Sequence, residues 1–220
     1  MIKKIKTRFR AVIFDMDGVI TNTMPAHFDA WYYVFSRAGI KVDCLDIYKR
    51  EGQDGLTTIK ELFKARRKPI SPDEEKALLA KKEDLFKRLV RIRFIKGARP
   101  FLHDLKRHGF MLGLVTGTSR HEVNKILPPG LRALFSVIVT GNEVKKGKPS
   151  PEPYLKALKV LGLAAQDAIV VENAPFGIKS AKSAGLFCAA LETSLPHRYL
   201  VEADVIVKTF KDLKKIIYVV

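Results

Sequence analysis

Phe14-Asp15-Met16-Asp17-Gly18 is the stretch on which the reading of this chain turns. It follows Phe9-Arg10-Ala11-Val12-Ile13-Phe14, a short apolar run rich in strand formers and of the length of a buried strand. Carboxylates at the C-terminal end of a strand stand where open α/β sheets place their ligands. Side chains at i and i+2 of an extended segment share a face, so Asp15 and Asp17 can converge on one small volume. Two negative charges held that close need a cation or a shared proton. A hard divalent cation, which prefers carboxylate and carbonyl oxygen, suits such a pair. Taken alone, the same four letters also fit a plain strand-to-loop exit with a turn-forming glycine.

Working outward, strand-like runs recur at residues 110–115, 137–140, 168–171, 187–191 and 204–207. Helical spacing fills residues 100–108, 120–127, 153–161 and 176–184 between them. Strand and helix in alternation predict an α/β fold, a doubly wound parallel sheet with a Rossmann-like core. The strands read as unbroken apolar runs, as expected when helices cover both faces. Residues 22–94 break the pattern: they hold no convincing strand, but amphipathic stretches at 25–38, 43–51, 57–67 and 71–93. Ser71-Pro72-Asp73-Glu74 is a helix start, with a capping Ser, Pro at the first helical position and acids in the first turn. The division expected is a core of residues 1–21 and 95–220 with an inserted helical cap, 22–94. Such an insertion beside the acids reads as a lid, the alternative being more core-packing helix.

Composition bounds the rest. The chain has 220 residues, 47% of them apolar, enough to bury a core. No apolar stretch reaches membrane-spanning length, so no membrane partner is expected. The N-terminal run Met1-Ile2-Lys3-Lys4-Ile5-Lys6 is basic but lacks the long apolar segment and cleavage site of a secretory signal. Cys44 and Cys188 are the two cysteines, without CxxC spacing, which speaks against a disulfide framework or structural zinc and for the cytoplasm. The net charge of +17 admits nucleic acid, an anionic surface or phosphorylated small molecules as partners. The basic residues are scattered, with no aromatic-interleaved stripe, so nucleic acid is the unlikely partner. A monomer is the expectation.

Three further groups lie just past predicted strands. Thr116-Gly117-Thr118-Ser119 offers hydroxyls and glycine N–H groups at a helix start, an anion cradle. Lys148-Pro149-Ser150-Pro151 holds a lysine in a stiff frame that could aim its ammonium inward. Glu172-Asn173 ends the fourth strand, where an acid could complete a cation site. Together with Asp15 and Asp17 these supply a nucleophile, a proton donor and positive groups for equatorial oxygens, the inventory of phosphoryl transfer.

The four motifs, in this order and across nearly the whole chain, resemble the haloacid dehalogenase-like superfamily. The similarity is to its beta-phosphoglucomutase-like and phosphoglycolate-phosphatase-like branch. The resemblance implies that Asp15 is the catalytic nucleophile, forming an aspartyl-phosphate, and that Asp17 is the general acid and base. It implies Mg2+ held by Asp15, the Asp17 carbonyl and the Glu172-Asn173 motif. Thr116, Gly117, Thr118 and Lys148 would hold the phosphoryl group. Thr23, His27, Trp31 and Lys82 match cap positions of the mutase branch, where the matching His and Lys gate the acid/base Asp; helix packing is the alternative for His27 and Trp31.

Two departures stand out. The family commonly has Glu-Asp where this chain has Glu172-Asn173, which implies weaker magnesium binding or a larger direct role for Glu172. The mutase's substrate-binding Arg would fall in Gly52-Gln53-Asp54-Gly55, which contains none, and Arg50 is out of register. The expected function is therefore a Mg-dependent phosphatase of a small phosphorylated metabolite, a sugar phosphate first. A sugar-phosphate mutase is the alternative. A nucleic-acid-binding protein on a retired catalytic fold is the rival from another class.

Overall fold

The computed structural model describes residues 9–218. The basic run at residues 1–6, and the reading of it as no signal, lie outside the described residues. Six parallel strands make one sheet: β1 (Ala11–Phe14), β2 (Met111–Val115), β3 (Val137–Val139), β4 (Ala168–Glu172), β5 (Phe187–Leu191) and β6 (Val205–Val207). Their order is β3-β2-β1-β4-β5-β6, the Rossmann-like doubly wound arrangement. The chain winds outward from β1 to β3, then returns to β4 and winds the other way. The direction reverses between β1 and β4, so the C-terminal ends of these two strands flank the crevice where such sheets bind ligands.

Ten α-helices among the described residues complete the order. Four lie between β1 and β2: α1 (Met24–Arg37), α2 (Cys44–Tyr48), α3 (Gly55–Ala65) and α4 (Pro72–Leu89). The others are α5 (Ala98–Arg107), α6 (Arg120–Ile126), α7 (Pro129–Arg132), α8 (Glu152–Leu161), α9 (Pro175–Ser183) and α10 (Phe210–Ile217). The two-residue alternation of the strands divides the core in two. Val12, Phe14, Leu112, Leu114, Ile169 and Val171 face one side, packed with α5 and α10 through Phe101, Leu105, Phe210 and Leu213. Ala11, Ile13, Val115, Val139, Ala168 and Val170 face the other, packed with α8 and α9 through Tyr154, Ala157 and Ile178. Both faces are covered, which is why the strands carry no polar alternation.

The helices α1 to α4 have a core of their own, built on Trp31, Val34, Phe35, Ile59, Leu62 and Phe63. Two connections tie this bundle to the sheet. They run antiparallel side by side: Asn22 N–H donates to the Arg93 carbonyl at 2.8 Å, and Ile95 N–H to Ile20 at 2.9 Å. The start of α4 is the one its sequence dictates. Ser71 Oγ accepts from Glu74 N–H, the Glu74 carboxylate accepts from Ser71 N–H, and Pro72 occupies the first turn. Some bounds differ from the sequence expectation. The helix expected at 43–51 shrinks to the five residues of α2, because the chain must turn at Gly52, whose φ of 77° lies in the left-handed region. The fourth stretch stops at Leu89 rather than Arg93, since residues 93–95 are taken up by the pairing with residues 20–22.

Candidate active site

Asp15 and Asp17 leave β1 at its C-terminal end and are both buried, at 1% and 0% exposure. The turn is closed by Thr21, whose hydroxyl donates to the Met16 carbonyl at 3.1 Å, and by Gly18 at φ 86°. A Cβ on Gly18 would stand 2.1 Å from the Asn173 amide nitrogen, so position 18 has no room for a side chain. The two acids have different surroundings. Lys148, on the loop after β3, donates through Nζ to Asp15 Oδ1 at 2.6 Å, to Glu172 Oε1 at 2.7 Å and to the Val115 carbonyl at 3.1 Å. Tyr154 of α8 donates to the same Glu172 oxygen at 2.6 Å, and Asn173 N–H donates to its other oxygen at 3.1 Å.

Asp17 is held by neutral groups. Thr23 donates to Oδ1; Thr118 and Thr116 donate to Oδ2 at 2.8 and 3.3 Å. His27 Nε2 stands 3.5 Å from Oδ1. The ring stacks on Phe86 at 4.0 Å, and its Nδ1 lies 3.3 Å from Lys82 Nζ. An ammonium only donates, so Nδ1 accepts and the proton of the neutral ring sits on Nε2, facing Asp17. Lys82 also lies over Trp31 and Phe86, 5.1 and 5.2 Å from the ring centroids.

The environments push the two acids apart. Burial raises Asp15 to about 8; Lys148 opposes that rise, and Glu172 and Asp17 add to it. Burial would raise Asp17 too, but His27, Thr23 and Thr118 outweigh it and hold the carboxyl at about 2. Burial and the Lys82 charge lower His27, so its imidazole is neutral near pH 7, and its Nε2 faces Asp17 at 3.5 Å without completing a hydrogen bond. Lys148 would lose its proton to burial, but Asp15 and Glu172 together keep it charged.

Two of the sequence-derived metal ligands carry orphaned oxygen: Asp15 Oδ2 and Asn173 Oδ1 are buried without a hydrogen-bond partner, whereas both Glu172 oxygens accept hydrogen bonds. Asn173 Nδ2 donates to Ser194 Oγ at 2.9 Å, which turns Oδ1 the other way. Unpaired buried oxygens of this kind are what a hard cation takes. The set is thin in charge: among the described residues no three His, Cys, Asp or Glu side chains are grouped to hold a metal ion. The fit is of Mg2+ to two carboxylates, one amide oxygen and main-chain carbonyl.

Above this floor lies a cavity of about 290 Å³, lined from the core by Gly117, Thr118 and Ser119 and from the helical bundle by His27, Trp31 and Lys82. Thr118 and Gly117, expected to touch substrate, are therefore at its wall. The loop after α2 comes down on the core here. A Cβ on Gly117 would lie 3.1 Å from Gly52 Cα, and one on Gly52 would lie 2.5 Å from the Lys148 side chain. Arg50 also lines the cavity but is bound to the Glu61 carboxylate at 3.3 Å and the Asp46 carbonyl at 2.8 Å. A larger cavity, about 620 Å³, opens at the other end of the sheet beside Phe9, His108 and Tyr218, far from any of these acids. Sequence reasoning passed over Tyr154, Ser194 and Glu51. Tyr154 lies three residues past the Lys148-Pro149-Ser150-Pro151 motif, but its partner is 18 residues away on another element.

A sequence profile described as haloacid dehalogenase-like hydrolase matches residues 12–191. Validoxylamine A 7'-phosphate phosphatase of Streptomyces hygroscopicus subsp. limoneus is 31% identical over 210 residues, covering 94% of this chain and 96% of the relative. A phosphorylated carbohydrates phosphatase of Thermotoga maritima is 33% identical over 181 residues, 80% of this chain and 82% of its own. The crystal structure of beta-phosphoglucomutase from Clostridium difficile superimposes with a TM-score of 0.78, covering 94% of this chain and 96% of that one; at 23% identity it shares the fold. The chain belongs to the haloacid dehalogenase-like hydrolases.

Proposed function

We propose that this chain, a phosphoric monoester hydrolase of the haloacid dehalogenase-like family, releases phosphate from a small phosphorylated carbohydrate through a covalent intermediate on Asp15. The observation that carries the reading is the unpartnered, buried Asp15 Oδ2 beside an ionised, fully hydrogen-bonded Asp17. In the first step Asp15, as the carboxylate that Lys148 stabilises, attacks phosphorus through Oδ2 and the bond to the leaving oxygen breaks. Asp17 delivers a proton to that oxygen; it must first take one up, which the negative charge of an arriving phosphate favours. In the second step Asp17 takes the proton of a water that attacks the same phosphorus, and the Asp15 carboxylate is released.

Lys148, Thr116, Thr118 and the Gly117 N–H are suited to hold the phosphoryl oxygens. Asp15, Glu172, Asn173 and the Asp17 carbonyl would hold Mg2+, which supplies positive charge to offset that of the phosphate when bound. Residues 22–94 act as the cap, and the contact of Gly52 with Gly117 is the closed position that keeps bulk water out. The two free thiols, one exposed and one buried, suit a reducing compartment, and we place the protein in the cytoplasm. Among the described residues no helix is long and apolar enough to cross a membrane.

The His27–Lys82 pair on Asp17 favours a second reading, a sugar-phosphate mutase. Against it, Gly52 to Gly55 contains no arginine, and Arg50 is committed to Glu61 and Asp46. A panel of phosphorylated metabolites with Mg2+ tests both readings. Free phosphate from a sugar phosphate, lost in Asp15→Asn, is the expected result. Conversion of beta-glucose 1-phosphate to glucose 6-phosphate without net release overturns it in favour of the mutase. Steeply salt-dependent nucleic-acid binding without phosphate release from any substrate points to the charge instead.

A further inference from the structure

Glu51 occupies the last position before Gly52, on the loop that descends from the helical bundle onto the core. Gly52 is packed against both Gly117 and Lys148, which fixes where its neighbour stands. The Glu51 side chain is half-buried and lines the cavity whose wall includes Thr118 and His27, both neighbours of Asp17. Its carboxyl has no hydrogen-bond or ion-pair partner among the described residues.

The other charged groups around this cavity have partners or reach into solvent. Asp54 caps α3 through Thr57 N–H, Glu122 pairs with Lys87, and Arg50 pairs with Glu61. Glu83 and Lys145 are exposed at the rim. Lys82 is half-buried and turned to His27 and Trp31. That leaves Glu51 as the half-buried acid of this cavity with no ion-pair partner among the described residues, Glu122 having Lys87 at 3.6 Å. Burial and the charges of Asp17 and Asp15 push its carboxyl well above the ordinary range against those of Lys82 and Lys148, and an arriving ammonium would offer it a counter-charge.

We infer that Glu51 is the specificity-determining residue of the leaving-group compartment, ranking phosphate monoesters by the charge of the part that leaves. An aminated leaving group gives Glu51 an ammonium to pair with. A hydroxylated one gives it a neutral donor, and a second phosphate meets repulsion. The substrate class is then a monophosphate of a polyhydroxy or amino-polyhydroxy compound, and bisphosphates are excluded. The inference rests on the phosphatase reading and narrows it.

Three ligands on one scaffold test it: glucosamine 6-phosphate, glucose 6-phosphate and glucose 1,6-bisphosphate. With the wild type, kcat/KM falls in that order. Glu51→Gln narrows the gap between the first two. Glu51→Lys raises the bisphosphate relative to the amine by about 10-fold or more, since like-charge juxtaposition is strongly unfavourable in such a site. Calorimetric affinities of the same three ligands for Asp15→Asn, with and without Glu51→Lys, give the ranking without turnover. If the wild type hydrolyses none of them, the phosphatase reading fails for this scaffold, while the affinity ranking still decides the role of Glu51. Affinities that are equal, or equally undetectable, or ratios that Glu51→Lys leaves within about 2-fold, overturn the inference.

Discussion

Asp15 and Glu172, on the neighbouring strands β1 and β4, share one ammonium: Lys148 Nζ lies 2.6 Å from the first and 2.7 Å from the second. All three side chains are buried, so each carboxylate depends on this cation. The arrangement lets two buried acids on adjacent strands stand close together around one cation.

Lys148→Ala removes the cation and leaves both acids buried without it. Breaking a buried ion pair from one side costs about 3–5 kcal/mol. Urea unfolding of the magnesium-free protein should show a loss of that size, reduced when millimolar Mg2+ is added. A loss under about 1 kcal/mol would mean that Lys148 is not what holds these carboxylates.

Asp15→Asn tests the nucleophile separately from the fold. It removes one of three crowded carboxylates, so thermal stability should hold or rise. Phosphate release should fall by about a thousand-fold or more. Residual turnover within about 10-fold of the wild type would exclude attack by Asp15.

Asn173→Asp adds a charge beside the orphaned oxygens of Asp15 and Asn173. Magnesium titration by calorimetry should show tighter binding, by about 10-fold on the charge added. The magnesium-free protein should become less stable, because a further carboxylate is buried next to Glu172. Unchanged affinity would show that Asn173 takes no part in holding the metal.

Asp104 gives a pH test far from the site. Lys214 at 2.8 Å is the main cause of its depressed carboxyl, opposed by burial and helped by Tyr218 at 3.0 Å and Arg107 at 3.2 Å; the result is about 2. In the unfolded chain an Asp titrates near 3.9. The folded value is the lower one, so this stability is present above about pH 4 and is lost as the pH falls from there toward 2. After screening, about 1 kcal/mol is expected. Asp104→Asn should remove that part of the acid slope in denaturation curves taken between pH 6 and pH 2.

Much of the sheet was legible because its physics is local. A strand covered on both faces must be apolar throughout, and Val12 to Phe14 or Ile169 to Val171 are so written. The floor of the site was legible for a related reason: each of Asp15, Thr116, Lys148 and Glu172 follows a strand, and strand ends in one parallel sheet must gather. Helix α10 was overlooked although Thr209 caps it through Asp212 N–H and Phe210, Leu213 and Ile217 share a stripe. What could not be read were contacts between distant segments. Glu51 looks like any surface acid in sequence, and only the packing of Gly52 on Gly117 turns it into a wall of the cavity. The same holds for Arg50, whose commitment to Glu61 decides that it is not a substrate cation.

The central place of β1 carries a consequence for how the chain is made. Ala11–Phe14 is synthesised early, yet its two neighbours in the sheet are Met111–Val115 and Ala168–Glu172. While a ribosome adds the intervening residues, this apolar strand has both edges open and no sheet to join. Pairings so distant in sequence are slow to form and expose sticky segments meanwhile. The bundle of α1 to α4, with its own core, can collapse first and stand beside that strand. Truncations ending before residue 168 should therefore aggregate, while those extending past α9 should not, and the helical segment that later roofs the cavity would serve during synthesis as a shield for the strand beneath it.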